Sequence, residues 1–254
     1  MKSVVIADYV RSPFTPANKG HLAKIRPDEL AAQVIKCLMK KTGVRADDIE
    51  DVILGCAFPE GEQGLNVARI VGFLAGLPLS VTGTTVNRFC GSSMQAIHMA
   101  AGAIQMEAGE AYICGGVESM TRVPMMGFNP LPHPGLCESY PQVYISMGLA
   151  TEHLARQYEI PRTAQEEFAL ASHRKAAASE TSGNFSDEIV PVAYKGNTIG
   201  KDGCIRPDTS LEALANLKPA FDKDGIVTAG TSAPLTDGAA AVLVCSEDYA
   251  KRKD

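Results

Sequence analysis

The chain has 254 residues, of which 45% are hydrophobic and 21% charged, proportions of a folded globular chain rather than a disordered one. Twenty-four basic against 29 acidic residues give a formal net charge of −5, which argues against a general nucleic-acid or anionic-membrane surface. No apolar run approaches the roughly 18 residues of a membrane span, and the stretch after Met1 reaches Asp8 too soon for a secretory signal. Seven cysteines, an odd number without paired spacing, predict a reducing, cytoplasmic compartment and neither a disulfide frame nor a metal site.

The opening KSVVIADYV reads as a buried strand, closed by the breakers Ser12-Pro13 and Pro16. Pro27, followed by Asp28 and Glu29, opens a helix whose Leu30, Val34 and Leu38 recur every fourth residue, and Gly43 stops it. A strand over Asp51 to Ala57 and a helix over Asn66 to Ala75 follow, the latter ended by Gly76 and Pro78. Next come a strand over Thr82 to Arg88, a turn at Phe89-Cys90-Gly91, a helix from Ser92 to about Ala108 and a strand over Ala111 to Gly115. From Val117 to about Ser146 the chain is irregular, rich in proline and methionine, and too long for an ordinary connection. Helices resume over Met147 to Tyr158 and after Thr163, where Thr163-x-x-Glu166 predicts a capping box. A strand over Glu188 to Tyr194, a hairpin-like stretch, a short helix over Ser210 to Leu217 and a buried strand over Ala239 to Cys245 complete the order. Alternating strands and helices imply an α/β fold with a mixed, mostly parallel sheet and helices on both faces. The expected organisation is a core of residues 1–118 and 230–254 with a loop subdomain inserted at 119–229.

The segment SSMQAIHMAAGAIQMEAG is apolar nearly all round, the pattern of a helix buried on every side. One sheet covers only one face, so a second half of the protein or a partner chain is expected on the other. Cys90 precedes this helix and follows a strand. Unpaired first-turn amides and the helix dipole favour a sulfur anion there, Gly91 permits a tight turn, and Ser92 and Ser93 suit a cap. The arrangement has the logic of a nucleophile elbow with sulfur in place of oxygen. Cys37, Cys56, Cys114 and Cys245 lie in helices or apolar strands and read as structural.

With these residues in place, the chain resembles the thiolase family. NRFCGSSMQAIH (Asn87 to His98) is similar to the acylated-cysteine motif, GGVESMT (Gly115 to Thr121) to a second family segment, and SMGLATEHLA (Ser146 to Ala155) to the start of the loop-domain helices. Ile205 to Val244, with its GTSAPLTDG loop, is similar to the coenzyme-A loop and the strand behind it. The motifs run in family order along essentially the whole chain and resemble degradative 3-ketoacyl-CoA thiolases best. The resemblance implies a thiolase-like half. In it Cys90 attacks a 3-ketoacyl-CoA, releases acetyl-CoA, holds the shortened acyl group as a thioester and passes it to coenzyme A, as in fatty-acid β-oxidation. The backbone N–H of Cys90 would serve an oxyanion, a role worth several kcal/mol. By the same resemblance Met147, Arg206, Phe221 and Ala229 line the coenzyme-A groove, with Arg206 near the nucleotide. Ala233 stands where many relatives have serine, with Ser232 one place earlier, so a hydroxyl contact to the pantetheine is in question. Coenzyme A is a substrate, and no cofactor is implied.

The resemblance reaches only the family's first half. The second half carries a Gly-His-Pro histidine, a reactive cysteine in a Cys-x-Gly setting and an Asn-Glu-Ala-Phe asparagine. His21, His98, His133, His153 and His173 read as structural or exposed and offer no replacement. The isolated chain is therefore expected to turn over poorly, with the helix dipole alone, about 1–2 kcal/mol, to activate Cys90. A homodimer or larger assembly is expected, with the Thr82 to Arg88 strand as a pairing edge. Two other readings fit the same residues: an acyl-CoA-binding or assembly module without turnover, and a biosynthetic acetoacetyl-CoA thiolase. A condensing enzyme such as a ketoacyl synthase would share the fold, but NRFCGSS and the long insertion match it less well.

Overall fold

The β-branched runs become strands and the four-residue repeats become helices. The computed structural model describes residues 2–253. In chain order it contains β1 (Val4–Arg11), β2 (Thr15–Pro16), α1 (Pro27–Thr42), β3 (Asp51–Gly55), α2 (Val67–Ala75), β4 (Thr82–Val86), α3 (Ser92–Gln105) and β5 (Ala111–Ser119). There follow α4 (Pro134–Ser139), α5 (Met147–Gln157), α6 (Arg162–Thr181), β6 (Val192–Tyr194), β7 (Asn197–Ile199), α7 (Leu211–Ala215), β8 (Thr236–Ser246) and α8 (Glu247–Lys253). Two units emerge: Met1–Phe128, Ser186–Gly203 and Leu235–Asp254 form the first, and Asn129–Phe185 with Cys204–Pro234 the second.

In the first unit the strands lie in the order β1-β8-β5-β3-β4, with β2 also pairing β8. β3 pairs β4 and β5 in parallel, while β8 runs antiparallel to both β5 and β1. Four of the five main strands thus point one way and β8 alone opposes them. Side chains alternate across this sheet. Val52, Leu54, Ile113, Leu243 and Cys245 join one core with Leu30, Val34, Ile35 and Leu38 of α1 and Val67 and Val71 of α2. Ile53, Tyr112, Cys114 and Val244 face the other side and pack with Ala96, Ala100 and Ile104 of α3. Both ends of α2 follow their local chemistry: Asn66 caps it by accepting from the Arg69 N–H, and Gly76 closes it at φ 81°.

Two expectations change, at β1 and at α6. The opening strand β1 is an edge, pairing β8 and partly facing solvent, so Ile6 and Tyr9 are exposed. A valine-rich run reports strand propensity, whereas neighbours decide burial. On α3 the sheet covers one face, as expected: Ser92, Ala96, Ala100 and Ile104, spaced four apart, are buried, while Met94, Met99 and the C-cap residue Met106 are exposed. The capping box at Thr163 does not form, because α6 starts at Arg162 behind Pro161 and places Glu166 one turn on, where it accepts from the Arg162 guanidinium at 2.6 Å.

The insertion expected at 119–229 also has different bounds. Residues 119–128 and 186–203 belong with the sheet, and 230–234 with the second unit. The cause is visible at β1: the Arg11 N–H donates to Glu188 O, the Val190 N–H to Arg11 O, and the Arg11 guanidinium holds Glu188 and Asp202. Val190 and Val192 are buried in the sheet's core. In the second unit, Arg162 donates to the carbonyls of Leu214, Ala215 and Leu217, closing the C-terminal end of α7 against α6.

Candidate active site

Strand β4 ends at Val86 and α3 begins at Ser92, so Asn87 to Gly91 must reverse the chain within five residues. Phe89 adopts a left-handed backbone at φ 44°, a conformation that costs a non-glycine residue free energy and persists only where surroundings fix it. The fixing groups are local. The Asn87 carboxamide accepts from the Phe89 N–H at 2.9 Å and donates to Ala57 O at 2.9 Å. The Ser92 hydroxyl accepts from the Arg88 N–H at 2.8 Å and donates to Phe89 O. Thus Gly91, not a serine, is the N-cap residue, and Ser92 ties the turn from inside the helix. Cys90 is exposed at this turn.

Two glycines let the first turn of α3 press onto the sheet. A Cβ at Gly55 would stand 2.5 Å from the Ser92–Ser93 backbone, and one at Gly116 would meet Ser93 Oγ at 2.0 Å. Beneath the turn, Glu118 accepts from the Ala57 N–H at 2.7 Å, the Phe58 N–H at 3.4 Å and Gln63 Nε2 at 2.7 Å. Gln63 is fully buried and also accepts from the Ser119 N–H. The fixed Phe58 ring then sits 6.1 Å from the Phe89 ring, beside Cys90. Glu118, Gln63 and Asn87 were not singled out from sequence. Only Glu118, a charge inside the apolar strand β5, carries a local signal; the Glu118–Ala57, Glu118–Gln63 and Asn87–Ala57 contacts span 30 to 61 residues.

The other thiols are placed differently. Burial, with the Glu118 carboxylate beside it, pushes Cys56 up to about 12. Cys114 is pushed up to about 12 by burial, then by Asp51, and its thiol donates to Ala96 O. Cys114-Gly115-Gly116 spells Cys-x-Gly, but inside a buried strand that thiol stays protonated and out of reach. Among the described residues no histidine hydrogen-bonds the Cys90 sulfur. His133 instead caps α4, and His173 Nδ1 accepts from the Arg206 N–H at 3.2 Å.

The second unit holds the residues expected at the coenzyme-A groove. Met147, the first residue of α5, is 68% exposed. Phe221 lies over the adjacent Gly148, where an added Cβ would meet the ring at 2.1 Å. Ala229 is exposed in a short helical turn, Ala229–Thr231, that Thr228 and Thr231 cap reciprocally. The Ser232 hydroxyl donates to Thr228 O at 2.8 Å, a structural use, and Ala233 is exposed. Met147 and Phe221 are therefore neighbours, Ala229 and Ser232 share a turn, and Arg206 stands exposed on a separate segment. Among the described residues no group of three or more His, Cys, Asp or Glu could hold a metal ion, and no helix is long and apolar enough to cross a membrane.

Comparison with known proteins bears on this arrangement. Residues 4–248 match the family model described as thiolase, N-terminal domain. The chain is similar to the 3-ketoacyl-CoA thiolase of Bacillus subtilis, at 44% identity over 98% of this chain and 67% of that protein. It is similar to the 3-ketoacyl-CoA thiolase of Aliivibrio fischeri, at 45% identity over 98% of this chain and 66% of that protein. Among solved structures it resembles the acetyl-CoA acetyltransferase of Bacillus anthracis, at 40% identity with a TM-score of 0.88, covering 100% of this chain and 68% of that one. The chain thus spans about two thirds of the length of these relatives.

Proposed function

The chain belongs to the thiolase family, and from that premise we propose that it carries the nucleophilic part of a degradative 3-ketoacyl-CoA thiolase, with Cys90 as the acyl acceptor. The observation that carries the reading is the Cys90 turn: an exposed thiol between strand and helix, behind a left-handed Phe89 held by Asn87 and Ser92. In the proposed reaction the Cys90 sulfur forms a bond to the keto carbon of a 3-ketoacyl-CoA. The Cα–Cβ bond breaks, the acetyl-CoA carbon takes up a proton equivalent to the one the Cys90 thiol gave up, and acetyl-CoA leaves with the acyl group on sulfur. The thiol of coenzyme A then attacks that thioester, and Cys90 departs with the proton coenzyme A loses. The Cys90 N–H is the proposed oxyanion donor. Met147, Arg206, Phe221, Ala229, Ser232 and Ala233 are the proposed coenzyme-A contacts, the last two through backbone.

We further propose that these 254 residues turn over poorly by themselves, since no described histidine is poised on the Cys90 sulfur as a base. A dimeric cytoplasmic enzyme of fatty-acid β-oxidation, completed by the family's second half, is the setting that fits best. The likeness to an acetyl-CoA acetyltransferase favours one second reading, a biosynthetic thiolase restricted to two-carbon acyl groups.

The test is intact mass after incubation with 3-ketoacyl-CoA substrates of short and medium chain, with Cys90→Ser as control. An acyl-sized gain that the serine variant lacks supports the reading. Its size separates the two thiolase types, since a gain from the acetoacetyl substrate alone selects the biosynthetic one. Acylation of the serine-variant chain to the same extent would overturn Cys90 as acceptor.

A further inference from the structure

On the second unit, α5 presents three residues one turn apart, Gly148, Glu152 and Arg156, and all three hold the same segment. That segment is a small hairpin: the Ala220 N–H donates to Val227 O at 2.9 Å, Pro219 bridges Thr228, and the chain turns where the Gly225 N–H donates to Asp222 O. Gly148 receives the Phe221 ring, so closely that any Cβ there would displace it. Arg156 pairs with Asp222 at 2.5 Å on the exposed side. Between them Glu152, only 1% exposed, accepts from the Ile226 N–H at 3.0 and 3.1 Å and from the Val227 N–H at 2.8 Å. Gly225 makes this possible, because a Cβ at that position would stand 2.2 Å from Glu152 Oε1.

A buried carboxylate satisfied by backbone N–H groups is a demanding contact, since a side chain without an oxygen here leaves two donors without an acceptor and an amide sets a second donor against the Ile226 N–H. Here it is spent on a hairpin that bears Phe221 and leads directly into the turn bearing Ala229. We propose that Glu152 is a positioning residue for coenzyme A: with Gly148 and Arg156 it clamps the 219–228 hairpin, so that Phe221 and Ala229 stand ready for the ligand. The proposal rests on the reading that this unit binds coenzyme A. The clamp acts by pre-organisation, which lowers the ordering cost of binding without itself touching the ligand.

The experiment is calorimetric titration of the full chain with two probes, coenzyme A and its nucleotide fragment adenosine 3′,5′-bisphosphate. Glu152→Gln keeps size, shape and one oxygen for both N–H groups, but sets its amide N–H against the Ile226 N–H where Oε2 stood at 3.1 Å. It is expected to weaken coenzyme A about tenfold while leaving the fragment within about twofold, because Arg206 lies outside the hairpin. Gly148→Ala, which leaves the buried carboxylate paired, should show the same split and serves if Glu152→Gln does not fold. Arg156→Ala, an exposed pair, should cost about twofold. Amide exchange at Ile226 and Val227 should quicken in Glu152→Gln. Unchanged coenzyme-A affinity in both Glu152→Gln and Gly148→Ala, or equal loss for both probes, would overturn the clamp. A wild-type chain that binds neither probe would overturn the underlying reading of the site, and the clamp with it.

Discussion

The two faces of the central sheet are finished to different degrees. On one, α1 and α2 bring large side chains, and Leu30, Val34, Ile35 and Leu38 are at most 1% exposed. On the other, α3 approaches through small residues, Ala96 and Ala100, with Ile104 at its far end, and keeps its methionines in solvent. The first face is built for stability. The second is built for close approach, and Gly55 and Gly116 let the first turn of α3, directly after Cys90, sit against the strands. The short backbone-to-backbone distance there fixes the start of α3, and with it the Cys90 turn, against the strands.

Substitutions can break this comparison. Leu38→Ala on the finished face should have the largest effect, about 3 kcal/mol of unfolding free energy from lost burial plus a cavity, read as a lower urea midpoint. Ala96→Leu, fully buried between α3 and the sheet, should cost about 2 kcal/mol by overpacking and should also disturb the Cys90 turn. Glu118→Gln should cost about 1–2 kcal/mol, because the amide cannot accept from Ala57, Phe58 and Gln63 together. Met106→Ala, 83% exposed on the open face, should stay within about 0.5 kcal/mol. A loss there as large as that of Leu38→Ala would show that the open face is not open.

Acidity gives the smallest effect. Hydrogen bonding to Arg122 holds the Glu62 carboxyl below its ordinary 4.5, partly offset by burial. A depressed folded-state value stabilises the fold above the unfolded value, and that contribution fades as pH falls from about 4.5 through the depressed value. The Glu62 contribution to the melting temperature should therefore fade below about pH 4.5, and that acid sag should be smaller in Arg122→Ala, the pair being partly exposed.

Much of this was legible in the chain because its signals are local. Pro27 and Gly43 bound α1, Asn66 and Gly76 bound α2, and the Cys90 turn follows from a strand that stops and a helix that starts within five residues. What escaped depends on partners far along the chain. Whether a valine-rich run is central or an edge depends on how many strands flank it, and β1 has β8 alone among the main strands. Residues 186–203 looked like part of an insertion until Arg11, 177 and 191 positions away from Glu188 and Asp202, drew them to the sheet. Glu118 and Glu152 are invisible to pattern reading for the same reason: each is a carboxylate whose acceptors' duties are set by N–H groups about 60 and 75 residues away. Helix α8 has a local signal as well, Glu247 and Lys251 being spaced to pair across one turn.

Exposure alone does not make a nucleophile, and Cys137 supplies the comparison, being exposed like Cys90 but carried on the short helix α4. The most direct measurement is peptide mapping of all seven cysteines after parallel treatment with iodoacetamide and with excess acetyl-CoA. The account predicts that iodoacetamide labels both Cys90 and Cys137 and spares Cys56 and Cys114, while the acetyl group is found on Cys90 alone. Equal acetylation of Cys137, or acetylation that bypasses Cys90, would contradict it.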